Sequence, residues 1–164
     1  MADIENLLSR LAETHARLVA LRPRIEAREP WPLADAFGIE PEASWGPPEV
    51  FAHVAEMLRF WLGEIERVLA GSPEPVPFGR VAADEQRIGI IGRDRTVPLA
   101  EHYSRIAADI GRYQDRLPTL TPDELTKRGL HATAGEITVV GMVERFAVRH
   151  IEEHVEQLET ILGA

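Results

Sequence analysis

The chain contains no cysteine and a single lysine, Lys127. The absence of cysteine excludes disulfides, thiolate metal ligands and cysteine nucleophiles together. Any transition-metal site must therefore be built from imidazole and carboxylate groups. Basic residues are also outnumbered, since 18 Lys+Arg against 27 Asp+Glu give a formal net charge of −9. Because nucleic-acid backbones require a basic footprint, this balance argues against nucleic acid as a partner.

Long apolar runs are missing too. None approaches the ~20 residues that a membrane-spanning helix requires. The N-terminal MADIENLLSRLAETHARL begins with acidic residues and lacks the separate apolar region of a secretory signal. We therefore expect no membrane partner and a cytoplasmic location. With 45% hydrophobic residues and no internal repeat, residues 1–164 are predicted to form one domain.

Four long amphipathic segments dominate the sequence, and few segments read as strands. This pattern predicts an all-α domain, most simply a four-helix bundle. Apolar spacing places the long helices near residues 3–28, 47–70, 98–116 and 138–162. A capping box at Thr121 adds a short helix near 122–128.

The predicted helices carry recognisable start signals. Asp3 and Thr138 are suited to cap the first and last helices. The second helix opens at Trp45-Gly46-Pro47-Pro48-Glu49, with proline at the first helical position and glutamate in the first turn. Pro23 is expected to kink or end the first helix near its last turn.

The connections between helices give weaker predictions. Residues 29–44 are rich in proline, which indicates a loop with one turn of helix around 33–37. A connection as long as 71–97 is unusual in a compact domain, and it is either functional or contains short structure. Within it, residues 89–92 are consistent with a short strand or a buried turn. Residues 129–135 are expected to form a loop.

Two histidines interrupt the apolar stripe of the last helix. The stripe runs from Val139 through Phe146 to Leu162 and passes through His150 and His154, where a bundle normally has Leu or Val. Side chains at i and i+4 lie roughly 5–6 Å apart at Cβ, so the two imidazoles can bind one ion. Such histidines can equally be hydrogen-bonded core residues or face water. A third ligand from elsewhere in the chain is therefore needed to distinguish a metal site from these alternatives.

His53 is the best third ligand. It lies beside the apolar seam of the second helix, and in a bundle it would complete a three-histidine site with His150 and His154 at one end. Imidazole ligands suit zinc, nickel or iron. Three protein ligands leave one coordination position open, as in catalytic zinc sites, and a water or thiol bound there would be acidified.

Other polar residues are candidates to lie beside this site. His15 falls on the stripe of the first helix, where a hydrogen-bonded core histidine is the simpler interpretation. Glu153 lies between the paired histidines of the last helix, Glu156 and Gln157 follow them, and all three could support them or line a pocket. His102 lies next to the stripe of the third helix, where we expect it to be half exposed.

These motifs resemble the DinB superfamily over most of the chain. The resemblance rests on Trp45-Gly46-Pro47-Pro48-Glu49-Val50, Phe51-Ala52-His53-Val54, the approach Leu130-His131…Gly135-Glu136-Ile137-Thr138-Val139, and His150-x3-His154-x-x-Gln157. It implies a four-helix bundle with up-down-down-up connection and one divalent ion held by the three histidines. It also implies a homodimer, for which apolar residues such as Phe60 and Leu62 give a hint.

The resemblance also implies a class of chemistry. Members of this superfamily include YfiT-like metal-dependent hydrolases and mycothiol-dependent maleylpyruvate isomerases, and characterised members work with low-molecular-weight thiols such as mycothiol or bacillithiol. The implied function is a metal-dependent S-transferase, isomerase or small hydrolase acting on a small molecule. A non-catalytic metal-binding bundle, acting as a sensor or interaction module, is the alternative. A fourth protein ligand such as His15 would favour the alternative, and an open position beside a pocket would favour the enzyme.

Overall fold

Four long helices form a bundle, as the sequence predicts. The computed structural model describes residues 3–35 and 42–163. The long helices are α1 (Ile4–Glu26), α2 (Pro47–Leu69), α4 (Leu99–Arg116) and a last helical segment made of α6 (Val139–Met142), a π-turn (Val143–Val148) and α7 (Arg149–Leu162). Two shorter helices lie in the connections, α3 (Glu85–Asp94) and α5 (Pro122–Leu125).

Ion pairs between helices define the direction of each one. Arg10 forms a bidentate pair with Glu152 at 2.9 and 2.7 Å, and Arg17 forms a second with Glu159 at 3.1 and 2.7 Å. From the first pair to the second, the residue number increases by seven on both helices, so α1 and α7 run parallel. Pairs between α2 and α4 show that these two helices are also parallel. Ring contacts show that α2 is antiparallel to the last segment, which confirms the up-down-down-up connection.

Several predicted helix signals are confirmed. Asp3 accepts a hydrogen bond from the Asn6 amide at 2.7 Å, and Thr138 accepts one from the Gly141 amide at 3.1 Å. The capping box at Thr121 is present, although α5 ends at Leu125 because the chain then enters a strand. Helix α1 continues through Pro23 for three more residues.

A small sheet is present that the sequence did not predict. It contains β1 (Val76–Phe78), β2 (Arg128–His131) and β3 (Gly135–Thr138) in the order β1-β2-β3. Strand β1 is parallel to β2, and β2 is antiparallel to β3, so residues 129–135, predicted as a loop, belong largely to a hairpin. Strands of three or four residues are too short to show the alternation that identifies a strand in a sequence.

The long connection contains a helix instead of the strand or buried turn expected at residues 89–92. Helix α3 is capped by Asp84, which accepts a hydrogen bond from the Arg87 amide at 2.9 Å, and it packs on α2. Gly89 and Gly92 lie within this helix despite their poor helix propensity. The predicted turn at 33–37 is not helical over residues 33–35, and its remainder lies outside the described residues.

The core lies between the four long helices and buries one histidine that we expected to be half exposed. His102 is 2% exposed, and its Nε2 donates a hydrogen bond to the Asp94 carbonyl at 3.0 Å. Burial lowers the pKa of His102 below its ordinary value. Within residues 3–35 and 42–163, no helix is both long and apolar enough to cross a membrane.

Candidate metal centre

The bundle brings His53, His150 and His154 together. Each offers one ring nitrogen, and these nitrogens lie within 4.8 Å of one another. The Nε2 atoms of His53 and His150 are 3.2 Å apart, and the three ring centroids are 4.9–5.0 Å apart. His53 and His154 are buried, whereas His150 is half-buried at the edge of the core. The core stripe of α7 passes beside His150 because the preceding π-turn shifts the helical register.

Two of the imidazoles, those of His53 and His154, are oriented by an oxygen acceptor at Nδ1. His53 Nδ1 donates to Glu56 Oε1 at 2.9 Å, and His154 Nδ1 donates to Gln157 Oε1 at 3.0 Å. The Gln157 amide is itself fixed, because its Nε2 donates to a backbone carbonyl at 2.7 Å. The Nε2 atom of His150 faces that of His53 at 3.2 Å. His53 and His154, each of which donates through Nδ1, therefore present an unprotonated Nε2.

Ring nitrogens of the three histidines consequently converge, and those of His53 and His154 do so as lone pairs. The His154 Nε2 atom is buried and has no hydrogen-bond partner among the described residues. A buried polar atom without a partner costs about 1–3 kcal/mol. A divalent cation would satisfy this atom, and three neutral imidazoles are a donor set that zinc, nickel and iron accept.

The protonation of the cluster is suited to metal binding. Burial, followed by the neighbouring imidazoles, lowers the pKa of His53 well below its ordinary value. Burial lowers the pKa of His150 to about 3 and also lowers that of His154. The guanidinium groups of Arg80 and Arg87 contribute in the same direction at His53 and His150. The rings are therefore neutral at pH 7, the form that can act as a ligand.

A buried ion pair supports His53, and the sequence analysis missed it. The Arg80 Nη2 group donates to both oxygens of Glu56 at 2.5 and 2.6 Å, and both side chains are less than a tenth exposed. Glu56 lies at i+3 from His53, the same spacing that links Gln157 to His154. This repeated spacing is a signal that could have identified Glu56. Arg80 gave no such signal because it comes from a distant loop.

The loop that carries Arg80 is anchored on both sides. His131 Nδ1 accepts hydrogen bonds from the Thr133 and Ala134 amides at 3.2 and 3.1 Å, so its Nε2 carries the proton and donates to the Arg80 carbonyl at 3.1 Å. The preceding residue, Gly79, has φ +86°, and its amide donates to the buried Glu64 carboxylate at 2.8 Å. The small sheet thus positions the Glu56–Arg80 pair, through β2.

The cluster opens to solvent on the side of His150. This residue lines a pocket of about 800 Å³ together with residues of β3, α6, the π-turn and α7: Ile137, Gly141, Glu144, Arg145, Phe146, Arg149 and Glu153. Phe146 separates the pocket from the core by stacking between Trp61 at 4.2 Å and His131 at 5.0 Å. A small molecule in this pocket can therefore contact His150.

The other candidate residues lie at different distances from the cluster. Gln157 contacts His154 directly. Glu153 is exposed, pairs with Arg149 at 3.1 Å and shares the pocket with His150, whereas Glu156 is exposed on the solvent side of α7. His15 is half-buried on α1. The position in the core stripe where we expected His15 is occupied by its neighbour Thr14. Among the described residues, the converging ligand atoms come from the three histidines alone.

Comparison with solved structures relates this fold to a known protein. YfiT from Bacillus subtilis, described as a probable metal-dependent hydrolase with an unusual four-helix bundle topology, superposes with a TM-score of 0.69 over 98% of this chain and 87% of YfiT. The two sequences are 18% identical, so the likeness concerns the fold. Comparison with curated proteins gives no match. The sequence model of the DinB superfamily matches residues 24–158, which include all three histidines of the cluster. The chain belongs to the DinB superfamily.

Proposed function

We propose that this protein binds one divalent metal ion through the Nε2 atoms of His53, His150 and His154 and acts as a metal-dependent enzyme on small molecules. One observation carries the proposal: ring nitrogens of the three histidines lie within 4.8 Å of one another, and the buried His154 Nε2 has no hydrogen-bond partner among the described residues. Zinc, nickel and iron are the ions that this donor set favours. A bound ion would supply Lewis-acid chemistry, which lowers the pKa of a coordinated water or thiol.

The pocket beside His150 favours an enzyme over a non-catalytic bundle. Three protein ligands leave a coordination position open, and His15 lies outside the group of converging atoms. Of the two carboxylates that line the pocket, Glu144 is held by Arg10 at 3.4 Å. Glu153 shares only an exposed pair with Arg149, which makes it the carboxylate available to accept a proton.

Two reactions fit this arrangement. Family membership favours transfer or isomerisation with a low-molecular-weight thiol such as mycothiol or bacillithiol. The similarity to YfiT favours hydrolysis of a small substrate by an activated water. The non-catalytic alternative, a sensor or interaction module, retains the metal but requires no access from solvent. The cytoplasmic location, the homodimer and the single domain over residues 1–164 stay predictions.

Metal analysis of protein purified without an affinity tag tests the proposal. We expect one divalent ion per chain, and loss of that ion in His53→Ala, His150→Ala and His154→Ala, with the bundle still folded because hydrophobic burial stabilises it. His15→Ala and His102→Ala are the matched controls and should retain the metal. Full metal content in His53→Ala, or its loss in His15→Ala, would show that the ligand set is wrong. A screen of the metal-loaded protein with thiol cofactors and with ester and amide substrates then separates transfer from hydrolysis.

A further inference from the structure

The pocket beside His150 contains a cation that no carboxylate of the described residues neutralises. Arg149 pairs with Glu153, and Glu144 is held by Arg10. Within the part of the chain that the structure describes, Arg145 has no carboxylate at ion-pair distance and contacts only the Phe146 ring, at 5.5 Å from its centroid. In a protein with a net charge of −9, where most arginines are paired, an unpaired guanidinium in a pocket is a candidate ligand group.

The π-turn places Arg145 on the same side of the helix as His150. Its hydrogen bonds join residues five apart, as in the bond from the Arg149 amide to the Glu144 carbonyl. In a π-turn, residue i+5 lies about one turn further along the same side. In a regular α-helix with 3.6 residues per turn, a residue at i+5 would be rotated about 140° away. Both side chains line the pocket, which agrees with this placement. π-turns are frequent at functional sites.

Two further arginines lie near the cluster, each paired with a carboxylate, Arg80 with Glu56 and Arg87 with Glu42. Arg80 is buried behind His53, and Arg87 stacks on Trp45, whose ring edge contacts His53 at 5.6 Å between centroids. A divalent ion held by three neutral imidazoles would keep nearly its full charge. An anionic molecule entering the pocket would therefore meet favourable charge at the mouth and at the cluster.

We infer that Arg145 is a specificity-determining residue that binds the carboxylate of a small anionic substrate whose other end reaches the histidine cluster. This inference rests on the proposed function and names the substrate class for the same site. One guanidinium matches one carboxylate in charge and in its planar, bidentate geometry. The occupant is a short molecule that carries a carboxylate and, at its other end, a thiol or another group that binds metal. Ile137 and the edge of Phe146 provide the apolar wall for the chain between the two groups.

The test uses cobalt(II)-loaded protein and two thiols of nearly equal shape, 3-mercaptopropionate and its neutral amide. Binding of sulfur to cobalt gives a charge-transfer band, from which the dissociation constant of each thiol is measured. We expect Arg145→Gln to weaken 3-mercaptopropionate about tenfold or more, since hydrogen bonds to charged groups are worth at least one decade of affinity. The affinity for the amide and the cobalt content should not change.

Two matched variants complete the design. Arg145→Glu should weaken the carboxylate further than Arg145→Gln. Arg22→Gln removes an exposed arginine that pairs with Glu26 on α1, and it should leave both thiols unaffected. Equal affinities of Arg145→Gln and the wild type for 3-mercaptopropionate would overturn this inference and leave the proposed function unaffected. If cobalt does not bind, or if neither thiol gives the band, the proposed function fails and the inference fails with it.

Discussion

Replacing Glu56 by glutamine tests whether the metal centre depends on its supporting ion pair. The Glu56 carboxylate accepts a hydrogen bond from His53 Nδ1, with the nitrogen and oxygen 2.9 Å apart, and is held from the other side by Arg80. It therefore fixes the tautomer of His53 and raises the basicity of the nitrogen that would bind metal. Loss of a partner of this kind typically costs 10–100-fold in metal affinity. This range corresponds to about 1.4–2.8 kcal/mol.

The measurement is a zinc titration of the metal-free protein in competition with a chromophoric chelator at pH 7. Glu66→Gln is the matched control, because Glu66 is also on α2 and pairs with an arginine, Arg116, but is 44% exposed and remote from the histidines. We expect Glu66→Gln to bind zinc like the wild type. Equal zinc affinity of folded Glu56→Gln and Glu66→Gln would refute the reasoning.

Stability has to be separated from metal affinity in this experiment. Glu56→Gln leaves Arg80 buried without its carboxylate, which commonly costs about 3–5 kcal/mol. The double variant Glu56→Gln/Arg80→Met removes both charges and should recover part of this loss in urea unfolding. It should not recover zinc affinity, because the acceptor for His53 Nδ1 remains weakened. Recovery of affinity in the double variant would show that stability alone explained the effect.

Three further predictions concern stability and assembly. In urea unfolding, Gly79→Ala should lower the free energy of unfolding by about 2 kcal/mol or more, because φ at Gly79 is +86° and the new Cβ would lie 2.5 Å from a His131 carbon. Gly111→Ala, at an open position of α4, should instead raise the free energy of unfolding by about 0.5–1 kcal/mol. Because burial lowers the pKa of His102, the unfolded chain binds the proton first, so the free energy of unfolding should fall as the pH drops below about 6.5. His102→Gln should show a shallower pH dependence than the wild type in the metal-free protein, and identical slopes would contradict this assignment. Sedimentation velocity at micromolar concentration should show a dimer that Leu62→Lys weakens, and a wild-type monomer would remove the prediction.

Local signals were sufficient for the four long helices and for two of the histidines, although not for α3. Capping residues such as Asp3 and Thr138 act on amides three residues away, and apolar periodicity depends on the same helix, so both can be recognised without a fold. His150 and His154 are recognisable for the same reason, since one turn separates them. The choice of His53 required the further assumption that α2 lies against the last helix.

Features that join distant parts of the chain were decided by the tertiary structure alone. Strand β1 pairs with β2 more than fifty residues later, and both strands are too short to show a recognisable alternation of apolar and polar residues in the sequence. The π-turn changes which residues face the pocket, and no apolar period predicts where it occurs. Arg80 reaches Glu56 only because β2 anchors its loop through His131. The residue types and their local spacing therefore determined which side chains could bind a metal, whereas packing between helices and sheet determined their partners, their protonation and the side on which a pocket opens beside them.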